Sequence, residues 1–410
     1  MINLAQESAI VRKTKYADFR MILVLCLAVS VGRFSLDSYL PSLPSIASLF
    51  HATSDQAQLT LTYYFFGYGI SQFFYGPLSE KFGRRNLLLF GMSLFLLGSY
   101  FCAISTTINI LIFSRLLAGI GAGAAGVLAR TIVSDWFPSN AVASAWTQVT
   151  TAIVISLIIG PILGGIIQQH MGFRYNFWLS FIYGFVVLIF LWYALPETHH
   201  ERQSTTLNIK KILSSYFGIL SDMRFVGYVA CSTLAFSALT IFFQLSPFIF
   251  ISDFNYTPVN YSFVLMWVAF SYMLGGQLVR IFIKTFKPNE MIRFGALLIL
   301  AASILLVISH LFFSSIEAVA VITISFFFVI GSRIIVPTGL GAGLGFYRHI
   351  AGYAAALSGG GQMLGNTLIS YSVAKIFSGS SLHRLTYILF VISLFILMII
   401  WSIEQKNKFK

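Results

Sequence analysis

Twelve apolar runs, each close to the ~20 residues that carry a helix across a bilayer, leave this chain of 410 residues few ways to fold. They are Met21–Leu40, Ala57–Leu78, Leu87–Ile104, Ile108–Leu128, Ala141–Ile167 and Phe177–Leu195, then Phe225–Ile251, Tyr261–Ile283, Met291–Phe313, Ala318–Leu340, Tyr353–Phe377 and Tyr387–Ile403. The runs are continuous rather than alternating, and far longer than barrel strands, so they read as helices. Only 10% of residues are charged, against roughly 25% in soluble domains. A soluble core of this size would need a charged surface that the chain lacks. The fold class is all-α and integral to a membrane.

The charges that exist sit in short clusters between the runs. The balance is basic, with 26 Lys and Arg against 13 Asp and Glu. Such clusters write membrane topology rather than a nucleic-acid footprint, so no nucleic-acid partner is expected. With the N-terminus placed in the cytoplasm, twenty of the 26 basic residues fall on the cytoplasmic side. Only Arg174, Lys375 and Arg384 fall outside, and Arg33, Arg115 and Arg333 lie within runs. That bias places both termini in the cytoplasm. The longest polar gap, Pro196 to Arg224, follows the sixth run. It divides the chain into an N-terminal six-helix bundle (1–196), a cytoplasmic linker (197–223) and a C-terminal six-helix bundle (224–410). Many secondary transporters share this two-halved plan, although no strong sequence repeat links the halves here.

Other chemistry finds little support. Cys26, Cys102 and Cys231 lie in separate apolar runs without CxxC spacing, and read as small buried hydrophobes. No cleavable signal is expected, because the first apolar stretch carries Arg33 and Asp37. There is no Walker loop, so ATP is not expected to drive the protein. His199 and His200 adjoin in the linker, but no HExxH motif or Cys/His cluster offers a metal site.

Charges within a membrane core are costly and mark function by default. Asp37 is the one acid deep in a run, and can take and release a proton. Arg33 lies four residues before it, on the same helix face. Arg115 lies in the fourth run and Arg333 in the tenth. We expect one or both of Arg33 and Arg115 to clamp Asp37; the plain alternative is a purely structural ion pair. Arg333 could instead gate or snorkel at the cytoplasmic end. Three arginines against one acid leave a positive surplus that an anionic substrate would neutralise. Two polar stripes support a cavity: Ser237, Thr240 and Gln244 in the seventh run, and Ser358, Gln362 and Asn366 in the eleventh. Stripes facing lipid would be apolar, though plain interhelical hydrogen bonding also explains them.

Several motifs carry a resemblance. Gly76-Pro77-Leu78-Ser79-Glu80-Lys81-Phe82-Gly83-Arg84-Arg85, after the second run, is similar to the GxLxDRxGRR/K signature of the major facilitator superfamily. Glu80 and Lys81 replace the usual aspartate and arginine with charge kept. Arg115 followed by Gly119, Gly121 and Gly123 resembles that superfamily's fourth-helix motif. Ser156 through Gly160, Pro161, Gly164 and Gly165 resembles the antiporter motif GxxxGPxxGG, with serine for the first glycine. Leu195-Pro196-Glu197-Thr198 looks like the drug-transporter branch. Leu36-Asp37-Ser38-Tyr39-Leu40-Pro41-Ser42-Leu43-Pro44 and Leu128 to Phe137, which includes Asp135, resemble the Bcr/CflA drug-resistance group.

The resemblance implies two six-helix bundles rocking about a central cavity lined by the first and fourth helices. It implies proton-coupled efflux of small organic molecules, from a bacterial inner membrane. Asp37 and Arg115 would couple the proton. Arg33 and Arg333 are not typical of the Bcr/CflA group; the charge surplus and the polar spacing, rather than the resemblance, lead us to expect Arg33, Tyr39, Arg333 and the two polar stripes to face the substrate. Gly76, Glu80, Gly83, Arg84, Arg85 and Asp135 would form a cytoplasmic gate. No cofactor beyond the coupling proton is implied, and a monomer suffices. The closest alternative is a proton-coupled carrier, possibly an importer, of organic anions such as a carboxylate-rich siderophore. An alternative of another class is a non-transporting membrane receptor or scaffold on the same fold.

Overall fold

The computed structural model describes residues 4–138, 141–198, 209–312, 318–347, 350–376 and 380–408. His199, His200 and the rest of 199–208 in the linker lie outside them. The first half holds α1 (Leu4–Asp37), a single 3-10 turn at Leu40–Ser42, α2 (Leu43–Leu49), α3 (Ser54–Phe82), α4 (Arg84–Ala103), α5 (Ile108–Trp136), α6 (Val142–His170) and α7 (Phe173–Ala194). The linker helix α8 (Ile209–Leu220) follows. The second half holds α9 (Met223–Pro247), which runs into a π turn at Phe248–Asp253, then α10 (Pro258–Phe282), α11 (Pro288–Phe312), α12 (Ala318–Gly345), α13 (Ala351–Ile376) and α14 (Ser381–Lys408).

Among the described residues, ten helical segments are long and apolar enough to cross a membrane. The two other long helices are α3 and α13, which carry Gln58 and Gln72, and Gln362 and Asn366, and pack against each other across the two halves. The described residues are helical throughout their long apolar runs, as the sequence predicts.

Local sequence sets the helix ends. Thr53 opens α3 with a capping box: its hydroxyl accepts from the Gln56 N–H, and the Gln56 amide oxygen accepts from the Thr53 N–H at 2.9 Å. Thr107 caps α5, and Thr257 caps α10 just before Pro258. Gly83 joins α3 to α4 at φ +90°, a conformation that side chains with a Cβ rarely adopt.

The halves repeat one another in their packing. α4 packs on α5 and α7; α11 packs on α12 and α14. α1 packs on α6 and α7; α9 packs on α13 and α14. Two helix pairs make most of the contact between the halves, α3 with α13 and α6 with α10. The loop at Gly83 and the linker lie at one end of the bundles, and the Asp37–Ser54 connection lies at the other. Arg384 at the start of α14 forms an ion pair with Asp55 at the start of α3, tying the halves at that second end.

Candidate functional site

Asp37 ends α1 and is fully buried. Its Oδ2 accepts a 2.7 Å charge-assisted hydrogen bond from Arg33 Nε, one helical turn earlier. Its Oδ1 is buried without a hydrogen-bond partner. The Arg33 side chain is 22% exposed where Asp37 is 0%, so the guanidinium covers the carboxylate. Arg33 also lies 5.8 Å from the Phe243 ring centroid, and with Tyr272, Phe236, Phe243 and Leu157 it lines a small recess between the halves.

Of the two arginines expected at Asp37, only Arg33 pairs with it among the described residues. Arg115 is fully buried in an aromatic cage. Its guanidinium carbon stands 4.2 Å from the Tyr64 centroid, 4.9 Å from Tyr39 and 5.8 Å from Phe177. Nη1 reaches Ser35 Oγ at 3.5 Å, and Nε and Nη2 have no partner. Ring faces attract the cation but do not accept all of its N–H groups. Tyr39, buried as well, completes that cage and bonds Thr60 through its hydroxyl rather than facing open space.

Arg333 lies midway along α12, half-buried against Gly275 of α10. Its guanidinium sits 4.4 Å from the Tyr272 centroid, and Nη1 donates to the Tyr272 hydroxyl at 3.3 Å. Nε is buried without a partner. Tyr272 thus stands between two arginines from opposite halves, Arg33 and Arg333.

The polar stripes face protein. Gln244 Nε2 reaches Thr62 Oγ1 across the halves at 3.4 Å, and Gln362 Nε2 donates to Ser232 Oγ at 2.8 Å. Thr240 and Ser358 bond carbonyls of their own helices. Ser237 Oγ and both amide atoms of the fully buried Asn366 have no partner. Groups of this kind are spare hydrogen-bonding capacity at the join of α3, α9 and α13.

The fifth-run glycines hold this assembly together at the Asp37 end. A Cβ on Gly160 would stand 3.0 Å from Asp37 Cβ, and one on Gly164 would collide with the Ser38 carbonyl. Gly165 lies against Pro258 and Ser262 of α10, and Ser262 Oγ donates to the Pro161 carbonyl at 2.6 Å. The missing proline N–H frees the carbonyl of Leu157, four residues earlier, while the Pro161 carbonyl gains the Ser262 hydroxyl as a donor from the other half. The motif therefore joins α1, α6 and α10 by close packing.

At the opposite end, Glu197 caps α4. Its carboxylate accepts from the Arg84 N–H at 2.9 Å and the Arg85 N–H at 3.3 Å, at the positive end of the helix dipole. Arg84 Nε bonds Asp135 Oδ2 of α5 at 3.2 Å, and Arg84 also bonds Ser79 Oγ. Arg85 donates to the Leu195 and Trp192 carbonyls. Glu80 is exposed, without an ion pair among the described residues, and Gly76 has open space where a Cβ would be. Loop, α5 and α7 are thus one hydrogen-bonded unit, remote from Asp37. Arg84→Ala should slow turnover several-fold, and by the same factor for chemically unlike solutes. Initial rates for two such solutes in proteoliposomes check this; a solute-selective change would remove the loop from the general cycle.

A separate recess of about 430 Å³ opens on the outer side of α1, α6 and α7. Its walls, such as Leu27, Ile155, Ile159 and Leu163, are apolar, and neither Arg33 nor Asp37 reaches it. The recess between the halves is only about 40 Å³, close to the ~30 Å³ share of one water. Any larger solute at Arg33 and Tyr272 requires the halves to part.

A sequence model described as the Major Facilitator Superfamily matches residues 25–365, most of the chain. The chain belongs to the Major Facilitator Superfamily. As a superfamily member it is a membrane transporter and not an enzyme. It is 24% identical over 361 residues to multidrug resistance protein D of Escherichia coli K12, covering 86% of this chain and 88% of that one. It is 26% identical over 293 residues to multidrug resistance protein MdtL of Shewanella oneidensis, covering 72% and 73%. These relatives agree with the drug-transporter resemblance of the first and fifth helices. In fold it is similar to a D-xylose-proton symporter, with TM-score 0.76 and 16% identity over 92% of this chain and 97% of that one. It is likewise similar to a peptide transporter crystallised with sulfate, with TM-score 0.77 and 12% identity over 94% of each chain.

Within this transporter, sequence reasoning missed Glu197 as a helix cap and Tyr272 as the link between Arg33 and Arg333. The Leu195-Pro196-Glu197-Thr198 stretch carried a signal for the first. Nothing local marked Tyr272.

Proposed function

We propose that this transporter is a proton-coupled carrier of small organic molecules, working by alternating access without ATP, with Asp37 as the proton carrier. The observation that carries this reading is the buried Asp37 carboxylate, ion-paired on one oxygen and unpartnered on the other. The Arg33–Asp37 pair can exist in two states, closed when the acid is ionised and released when it is protonated. Arg115, lodged against Tyr39 and Tyr64, forms no ion pair with Asp37 among the described residues, so Arg33 is the counter-charge of the acid. The drug-resistance names of the relatives support small organic molecules as the cargo. The basic bias of the Gly83 end supports its placement in the cytoplasm, and the bacterial relatives support a bacterial inner membrane.

A second reading is favoured by one observation: the charged group facing the central recess is the Arg33 guanidinium, with Asp37 sealed behind it. That order suits an organic anion rather than a cationic drug.

The test is proton flux in proteoliposomes loaded with a pH-sensitive dye. Lipophilic cations and small polycarboxylates are added in turn. A solute-dependent proton signal supports the reading. Solute movement with no proton signal under any gradient overturns it.

A further inference from the structure

We infer that the central recess takes an anionic substrate between Arg33 and Arg333, and that this anion binds together with the proton rather than in exchange for it. The inference deepens the proposed function and rests on Asp37 being the proton carrier.

The charge order comes first. Among the described residues, Arg33 lines the recess, Arg333 holds the Tyr272 side chain at its wall, and Asp37 is the acid behind Arg33. Asp37 is committed to Arg33. Arg115 is enclosed by rings and does not reach the recess. Arg333 has no carboxylate partner among the described residues; its contacts are the Tyr272 ring and hydroxyl, and its Nε is buried and unpartnered. An uncompensated guanidinium in a low-dielectric setting is costly, and a substrate anion removes that cost. Guanidinium forks hold carboxylate, sulfonate or phosphate oxygens in bidentate fashion. A cation entering the recess meets Arg33 before it can reach Asp37, and Arg333 stands one contact away, holding the Tyr272 hydroxyl at the recess wall.

The second step is the sign of the coupling. Arg33 is shared by two ligands, Asp37 and an incoming anion. While Asp37 is ionised, it holds Arg33. A proton on Asp37 removes that competitor and frees the guanidinium. Proton and anion therefore favour each other's binding, and by linkage the effect is reciprocal. The surroundings of Asp37 do not supply a rival switch. α3 contributes the Tyr64 hydroxyl, which donates to the Gly32 carbonyl, and α10 contributes the Tyr261 hydroxyl, paired with Ser246. α6 contributes Gly160, and the α7 hydroxyl of Tyr183 is engaged with Ser30. α5 contributes Arg115, which forms no ion pair with Asp37. Cooperative binding of anion and proton drives the two in the same direction, so this site is built for cotransport down the proton gradient.

The experiment is equilibrium binding to the purified full-length protein in nanodiscs, with no gradient imposed. The probes are benzenesulfonate, benzenesulfonamide and benzyltrimethylammonium, whose charges stay constant between roughly pH 5.5 and 8. Benzenesulfonate should bind best, and more tightly as pH falls. Asp37→Asn, which neutralises the competitor without changing shape, should bind it tightly at every pH. Arg333→Gln should weaken it by roughly tenfold or more, the effect of losing one charge-assisted bond, while keeping the pH dependence. Arg333→Lys should restore part of the loss, and Tyr272→Phe serves as a milder second variant if Arg333→Gln does not fold. Preferential binding of the ammonium probe overturns the anion class while leaving Asp37 free to be the carrier. Sulfonate binding that responds to Arg333→Gln but to neither pH nor Asp37→Asn overturns the linkage; the proton-carrier reading falls separately, if Asp37→Asn keeps proton-driven uptake.

Discussion

Asp37→Asn should reduce pH-gradient-driven solute accumulation to the level of protein-free vesicles while leaving the protein folded. Asparagine has the shape of aspartate but cannot exchange a proton across the cycle. Asp37 is fully buried at the end of α1, and its Arg33 bond is the contact the substitution alters most. An uncharged amide oxygen can still accept from Arg33 Nε, so the local geometry survives with a weaker bond. The fold has little reason to fail, because the acid is not otherwise hydrogen-bonded. Two measurements on the same preparation separate the effects: thermal unfolding in detergent and proton-driven uptake in proteoliposomes. Loss of uptake with a near-normal unfolding midpoint supports the assignment. Full proton coupling in Asp37→Asn would sink it.

Gly164→Ala should be the most damaging small substitution in the chain. The added methyl group meets the Ser38 carbonyl, a backbone atom that cannot swing aside as a flexible side chain can. α6 must then move away from the end of α1. Gly165, next along, loses its seat on Pro258 and Ser262, and the 2.6 Å bond from Ser262 to the Pro161 carbonyl is stretched. Overpacking of a well-filled interior costs about 1–3 kcal/mol, and a backbone obstruction lies at the upper end. In the proposed alternating-access cycle the joint between the halves also opens and closes, so transport should fall further than stability. Gly76→Ala is the control, since nothing lies within 4 Å of its added Cβ. It sits in the loop motif yet should be nearly silent. Equal unfolding midpoints and equal transport rates for the two variants would show that close packing at Gly164 is not limiting.

Individual residues show why some of the site was legible in the sequence. Arg33 and Asp37 are four apart on one helix, so their meeting follows from helical pitch alone. The Gly164 contact was implied by its small-residue spacing, although not its partner. Arg115 was legible as a costly buried charge, but its aromatic cage was not. The rings come from Tyr39, Tyr64 and Phe177, on three separate stretches of chain. Glu197 lies 113 residues from Arg84, and no local pattern connects an acid at one helix end to the N–H groups of another.

The sequence by itself determined the membrane class and the positions of the long helices. The bilayer core offers no water to backbone N–H and C=O groups, so every long apolar run must satisfy them internally. That is a local requirement, and a local reading can meet it. Tertiary structure alone decided which helices touch. It showed α1 on α6 and α7 repeated as α9 on α13 and α14, where the sequences of the halves show no strong repeat. It also placed Tyr272 between Arg33 and Arg333. These outcomes depend on the rotation and offset of helices far apart in the chain. Apolar side chains of many kinds meet those packing demands equally well in a lipid setting, where small residues and polar pairs do most of the selecting.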